Sequence, residues 1–282
     1  MTRRGLFVGL TTLDIVHTVE RPPGPNEKAV ALRQDVAAGG PAANAAVTFA
    51  ALGGDAVLIT ALGGHALARA AVDDLTAHGV RVLDAAAGAT GPPAASIVRV
   101  VATTGERSVS SVNAAATPAD VPPELGDLAV DVVLLDGHHP ALARAAARAA
   151  TAPVLLDGGS WKPVLDELWP DIAAAICSAD FVLPDGSSTV DGLRARGVDA
   201  VAVTHGADPI EWVDREASGW LAVPPVPARD TLGAGDTFHG AAAYALAEAR
   251  DWPGVLEFAA GVAAVRVQHP GPRAWLSALR RR

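Results

Sequence analysis

A chain of 282 residues is long enough for one large domain with a sizeable buried core. Half of the residues are hydrophobic and 19% are charged, a balance that excludes an intrinsically disordered chain. The formal charge of −9 argues against nucleic acid as the main partner, because phosphate backbones bind surfaces rich in lysine and arginine.

Cysteine content and hydropathy indicate the compartment. Cys177 is the only cysteine, so the chain forms no internal disulfide, which is consistent with the reducing cytoplasm. The sequence lacks a run of about 18 apolar residues, so we expect no membrane-spanning helix. The apolar run at the start is short and is followed by Asp14, which favours a first strand over a signal peptide.

The first third of the chain alternates short apolar runs with helical patterns. The predicted strands are 6–10, 56–61 and 80–83, and the predicted helices are 41–52 and 65–78. Pro41 in a first helical turn and Gly53 just past a helix end support the first of these helices.

Two segments, 27–36 and 94–112, have β character without helices between their strands. In the second, the runs 96–101 and 107–112 flank 103–106, which has the composition of a hairpin turn. The two segments can form a small separate sheet, or they can be edge strands of the main sheet. The residues alone leave both arrangements open.

The alternation then resumes to the end of the chain. The predicted strands are 130–135, 154–156, 181–183 and 200–204, and the predicted helices are 140–150, 188–196, 234–249, 255–268 and 276–282. Strands that are almost wholly apolar, with helices between them, indicate a parallel sheet covered on both faces. The fold class is therefore α/β.

A loop of small residues runs into a helix between Asp230 and Gly240. Free backbone N–H groups at such a helix start attract anions, and Gly233 and Gly235 let the backbone approach one closely. Asp236 lies in the first turn of this helix. It can simply cap the helix, or it can take a proton from a hydroxyl that attacks a bound phosphoryl group.

A second group of polar residues lies near the start of the chain. Gly39 and Gly40 precede the helix 41–52, in which Asn44 offers both a donor and an acceptor. Asp14 follows the first strand, at the end of the sheet where ligands bind in α/β folds. Taken singly, each is equally consistent with an ordinary turn or a surface side chain.

The stretches 39–44 and 230–240 resemble the two signatures of the ribokinase-like (PfkB) family of carbohydrate kinases, the second at every defining position. The resemblance covers essentially the whole chain. It implies a single domain over 1–282, built as a three-layer α/β sandwich with a mainly parallel central sheet. It also implies a small β lid from segments about 12–36 and 93–113, whose exposed edges can pair with a second copy.

The resemblance also implies roles for individual residues. Asp236 would be the catalytic base, and the backbone of Gly233, Ala234 and Gly235 would form the anion hole. Acceptor-binding roles fall to Asp14, Gly39, Gly40 and Asn44. Arg107 on the lid is a candidate for an anionic group of the substrate, with a solvated sheet-face arginine as the alternative.

The nucleotide side is matched less completely. Thr204 and Gly206 resemble a Thr-x-Gly element, and Ala260, Gly261 and Ala264 resemble the wall of the adenine site. Near the predicted strand 181–183, an Asn-x-x-Glu motif tied to Mg²⁺ and phosphate is replaced by Asp185-Gly-Ser-Ser188. Asp185 can stand in for the asparagine, but no glutamate follows. No metal ligand is assigned, and Mg²⁺ would rest on nucleotide phosphates and water.

Several other polar groups follow strands. Asp136, His138 and His139, like Asp157, are interpreted as residues of pocket-side loops rather than as metal ligands, and His239 as a neighbour of the site. The chain lacks a Gly-x-Gly-x-x-Gly motif after the first strand, which disfavours a dinucleotide-dependent oxidoreductase.

The expected function is ATP- and Mg²⁺-dependent phosphotransfer to a hydroxyl of a sugar or sugar derivative in the cytoplasm, without nucleic acid or membrane as a partner. Two alternatives stay open. One is a nucleoside kinase of the same fold, and the other is a metabolite-binding protein that has lost turnover.

Overall fold

Two sheets and eight α-helices make up the part of the chain that the computed structural model describes, residues 2–112 and 117–279. In chain order the elements are β1 (Arg4–Val8), β2 (Thr12–Val19), β3 (Arg33–Gly39), α1 (Pro41–Ala51), β4 (Asp55–Thr60), α2 (Ala66–Ala77), β5 (Val80–Asp84), β6 (Ala95–Val101), β7 (Arg107–Ser111), β8 (Val132–Leu135), α3 (Pro140–Ala149), β9 (Val154–Gly158), α4 (Leu165–Leu168), β10 (Ala174–Ser178), α5 (Thr189–Ala195), β11 (Ala200–His205), β12 (Asp208–Val213), β13 (Ser218–Leu221), α6 (Ala234–Ala247), α7 (Trp252–Val267) and α8 (Leu276–Leu279). The predicted lid's last residue, 113, and residues 280–282 of the last predicted helix lie outside the described residues.

The central sheet has the strand order β13-β12-β11-β10-β9-β8-β1-β4-β5 in the described residues. The seven strands from β11 to β5 are parallel, and β12 and β13 add an antiparallel hairpin at one edge. This arrangement confirms the predicted α/β class with a mainly parallel sheet.

Alternate residues of the central strands face opposite helical layers. Phe7 packs with α1, α2, α6 and α7, whereas its neighbours Leu6 and Val8 pack with α3, α4 and α5. Both sheet faces are therefore covered, as the uninterrupted apolar runs predict. Within the described residues no helix is both long and apolar enough to cross a membrane.

The lid is a separate sheet with strand order β3-β2-β6-β7. The pairs β2–β3 and β6–β7 are antiparallel, and β2–β6 is parallel. The alternative that these segments are edge strands of the central sheet is therefore wrong. The segment 27–36 is only partly a strand, because β3 begins at Arg33.

One predicted strand is misplaced. The chain segment 181–183 is irregular, and the strand lies earlier, at β10 (Ala174–Ser178). Phe181 and Leu183 are apolar because they pack on the sheet face that carries α5, which gives them strand-like hydropathy without strand geometry. The alanine-rich sequence of β10 resembles a helix, and its strand conformation comes from pairing with β9 and β11.

Helices α1 and α6 cross with almost no side chain between them. A Cβ at Gly240 would lie 2.3 Å from the carbonyl oxygen of Ala45 and 2.7 Å from Cβ of Thr48. Because α1 carries Asn44 and α6 carries Asp236, this contact sets the distance between two predicted site residues.

Gly240→Ala should force the two helices apart and lower the free energy of unfolding by about 1–3 kcal/mol, the usual cost of overpacking. The matched control is Gly261→Ala on α7, where an added Cβ meets no atom within 4 Å. That control should gain roughly 0.5–1 kcal/mol, because alanine is the better helix former. Chemical denaturation measures both, and equal stability of Gly240→Ala and the wild type would contradict the crossing argument.

Candidate active site

The start of α6 is built to receive an anion. Gly233 precedes the helix in the left-handed conformation, with φ of 69°, and offers no side chain to cap it. Ala234 N–H donates to the carbonyl of Thr231 and Thr237 N–H to that of Gly233. No acceptor in the described residues takes the N–H groups of Gly235 and Asp236. These two groups are therefore free to bind a negatively charged ligand at the helix N-terminus.

Asp236 is held by a residue from another helix. Nδ2 of Asn44 donates to Oδ2 of Asp236 at 2.8 Å. Burial raises the pKa of Asp236, and the Asn44 hydrogen bond and the nearby His239 oppose that shift. A carboxylate whose pKa is raised is a stronger acceptor of protons, as a general base requires.

Arg273 fixes the orientation of Asn44. Its Nη1 donates to Oδ1 of Asn44 at 3.2 Å. Because a guanidinium group can only donate, the amide oxygen of Asn44 must face Arg273 and the NH₂ group must face Asp236. Arg273 also donates to the carbonyl of Ala38 at 2.7 Å and to Asp74 at 2.8 Å. Sequence analysis did not identify Arg273, because it lies beyond the recognised motif.

Asp14 lies where the lid meets the central domain. Oγ1 of Thr12 donates to Oδ1 of Asp14 at 2.6 Å, and burial raises the pKa of Asp14. Gly39 makes room for it, because a Cβ there would lie 2.0 Å from the Asp14 carboxylate. A Cβ at Gly40, whose φ is 94°, would lie 2.4 Å from the Leu10 carbonyl oxygen, so the chain passes closely there as well. Asp14, Asn44 and Gly233 line a small cavity of about 20 Å³.

Arg107 reaches from the lid to the loop before α6. Its Nη1 donates to Oγ1 of Thr231 at 2.5 Å. Leu232 in the same loop packs against Val16, Val98 and Val100 of the lid. The structure therefore places Arg107 beside the anion-binding loop and outside the small cavity around Asp14.

A larger cavity of about 690 Å³ lies on the other side of the loop. Arg107 lines it, together with residues predicted for the nucleotide side or the anion hole. Those predicted residues are Thr204, Gly206, Ala234, Gly235, Ala260 and Ala264. Gly261 is not part of this lining.

Asp185 is separate from this group. It is exposed, accepts from Arg196 at 2.6 Å and from Oγ of Ser187 at 2.6 Å, and has a lowered pKa because of these contacts. Its predicted role depended on a strand at 181–183, and that strand prediction is wrong. The strand is β10, and the segment that directly follows it is 179–180. The structure does not bring Asp185 to the other predicted site residues, so its nucleotide role stays a prediction.

A buried ion pair secures the loop from behind. Oδ2 of Asp230 lies 3.3 Å from Nη2 of Arg266 and accepts from the backbone of Gly271 at 2.8 Å, and Oδ1 accepts from Leu232 N–H. The sequence indicated Asp230 only as the first residue of a motif. Its partner Arg266 lies in the mainly apolar helix α7, and sequence analysis did not identify it.

Arg273→Gln should lower turnover about tenfold, because Asn44 loses the group that aims it at Asp236. It should also cost about 2 kcal/mol of stability, since Asp74 loses a charged hydrogen bond. Asp74→Asn is the control, because it loses the same ion pair and leaves Arg273 able to bind Asn44. Steady-state kinetics and denaturation separate the two effects, and an equal turnover loss in both variants would refute the orienting role.

Several known proteins are similar to this chain in sequence and in architecture. Residues 3–278 match the pfkB family carbohydrate kinases. The ribokinase of Bacillus subtilis (strain 168) is 26% identical over 276 residues, covering 92% of this chain and 91% of that protein.

Two solved structures show the same fold. The ribokinase of Arabidopsis thaliana, solved with ribose and ATP, is 24% identical, with a TM-score of 0.75 and 99% of both chains covered. A nucleoside kinase of Methanocaldococcus jannaschii is 17% identical, with a TM-score of 0.74 and 100% and 99% of the two chains covered. With the family match spanning nearly all of its length, this chain belongs to the pfkB family of carbohydrate kinases and is a phosphotransferase of the ribokinase-like fold.

Proposed function

We propose that this protein transfers the terminal phosphoryl group of ATP to a hydroxyl of a sugar or sugar derivative. One observation carries the proposal. Asp236, with a raised pKa and oriented by Asn44, lies at an uncapped helix N-terminus beside both a small cavity lined by Asp14 and Asn44 and a large, mostly apolar one. A base and an anion hole at the boundary between an acceptor site and a nucleotide site would need this position, which supports the proposal.

The proposed step uses few groups. Asp236 takes the proton of the acceptor hydroxyl while the oxygen forms a bond to the terminal phosphorus atom of ATP. The bond from that phosphorus to the bridging oxygen breaks, and ADP leaves with the electron pair. The free N–H groups of Gly235 and Asp236 stabilise the charge on the transferring group.

The large cavity suits ATP in size and character. Its volume of about 690 Å³ lies within the range of nucleotide and drug-sized sites, and apolar side chains such as Ile210 and Phe238 line it beside Thr204. The described residues fit Mg²⁺ less well. They contain no group of three acidic, histidine or cysteine side chains arranged so that it could hold a metal ion, and Asp185 is already paired with Arg196. We assign no metal ligand and derive no step through the ion.

A nucleoside acceptor is the alternative, because the fold is shared with the Methanocaldococcus jannaschii nucleoside kinase. Formation of phosphorylated product, followed by mass spectrometry in Mg-ATP with panels of sugars, sugar acids and nucleosides, distinguishes the two classes. Ligand-induced thermal stabilisation without product from any panel would favour a metabolite-binding protein and contradict the proposal.

Pairing of a second copy at the lid edges β3 and β7 stays a prediction.

Asp236→Asn should lower kcat by about 10³-fold on the acceptor found in this panel, because the variant cannot take the proton. The asparagine keeps the shape of the side chain and a hydrogen-bond acceptor for Asn44. Stability and ATP binding, measured by thermal shift, should therefore stay close to those of the wild type. Near-normal turnover in a folded Asp236→Asn protein would refute the base assignment.

Arg107→Gln should raise the KM for ATP about tenfold and leave the KM for the acceptor unchanged, because Arg107 lines the nucleotide cavity. Arg99→Gln is the matched control. Arg99 belongs to the same lid sheet, but it alternates with Val98 and Val100 and so faces away from the loop. A rise confined to the acceptor KM would instead place Arg107 at the acceptor.

A further inference from the structure

His239 lies one turn after Gly235 on α6, buried with 6% exposure. Both of its ring nitrogens face main-chain carbonyl oxygens. Nδ1 lies 2.8 Å from the carbonyl oxygen of Gly235, and Nε2 lies 3.0 Å from that of Ile176 in β10. A carbonyl oxygen only accepts hydrogen bonds, so two bonds of this kind require a proton on each nitrogen. The ring satisfies both contacts only as an imidazolium ion.

The counter-ion for such a charge is present. Oδ2 of Asp157, at the end of β9, lies 3.4 Å from Nδ1 of His239, is buried, and accepts no hydrogen bond in the described residues. Burial raises the pKa of Asp157 to about 6, and His239 opposes that rise. An unpaired buried carboxylate is costly, whereas one that faces an imidazolium is compensated.

The Gly235 contact has a geometric consequence. The carbonyl of Gly235 and the N–H of Asp236 belong to the same peptide group, and in a trans peptide they point in opposite directions. Holding the carbonyl towards His239 therefore aims the N–H of Asp236 the opposite way, towards the N-terminal end of α6, where the N–H of Gly235 is also free. The bond to Ile176 ties this peptide to the central sheet.

The geometry points to His239 as a positioning residue: a buried imidazolium, paired with Asp157, that holds the Gly235–Asp236 peptide so that its N–H faces the transferring phosphoryl group. The aiming role rests on the proposed function, whereas the charge pair does not. The other charges around it are Asp236 on α6 and Asp136 after β8, with Lys162 acting on Asp157 and Arg266 of α7 acting on Asp236.

The protonation state is tested by NMR of protein labelled with ¹⁵N-histidine. One histidine should carry protons on both ring nitrogens at pH 7, and its signals should be absent from His239→Asn. In Asp157→Asn the same ring should lose its second proton at a lower pH, because the negative charge is gone. A single neutral tautomer for His239 at pH 7 would overturn the charge pair, whatever the protein's activity.

The aiming role is tested by two variants that keep different contacts. The amide of asparagine can replace Nδ1 and still donate to Gly235, whereas the longer glutamine can replace Nε2 and donate to Ile176. His239→Gln should therefore lower kcat about tenfold with both KM values unchanged, and His239→Asn should stay within about threefold of the wild type.

The control is His65→Asn, because His65 is partly exposed, caps α2 and can be replaced there by another good capping residue. Equal kcat in folded His239→Asn and His239→Gln would overturn the aiming role. If no acceptor is phosphorylated by the wild type, the proposed function fails, and the NMR result still decides the charge pair.

Discussion

The hydrogen bond between Asn44 and Asp236 is the interaction on which the site depends. It joins α1 to α6 through two residues that are 192 positions apart in the chain. It can form because Gly240 lets the two helices approach until a Cβ would touch the Ala45 carbonyl. Backbone packing thus sets the distance, and the donors of Arg273 set the direction of the amide.

Three carboxylates lie close together at this edge of the sheet, and each is stabilised differently. Asp136 accepts backbone N–H groups of Leu10 and Ala42, which joins the first strand to α1. Asp157 faces the His239 ring. Of the three, Asp236 alone is partly exposed and has one side-chain hydrogen bond. It is therefore the one that can still accept a proton from a ligand on the solvent side. Its own burial raises its pKa, and the charge of Asp136 adds to that rise.

The sequence predicts what is local and misses what is distant. Most of the alternating strands and helices, and the glycine loop before α6, are marked by short patterns and are therefore predicted. The β character of the lid segments is local too, but their separation from the main sheet was implied only by the family resemblance. Arg273 is not predictable in this way, because it meets Asn44 across 229 positions and no local pattern marks it. The sequence prediction misplaces strand β10, because its alanines favour a helix and only pairing with β9 and β11 makes the segment a strand. The hairpin of β12 and β13 was also missed.

The loop before α6 couples the lid to the anion-binding N–H groups. Leu232 packs into the apolar cluster of the lid, Thr231 accepts from Arg107, and Asp230 behind them is fixed by Arg266. The cavity around Asp14 then has about 20 Å³, enough for a single water molecule and too little for a sugar. An acceptor can enter only if Leu232 and the lid separate. Gly235 is exposed in this arrangement and lines the larger cavity, so the loop closes the small cavity around Asp14 while the N–H of Gly235 stays open to the larger one.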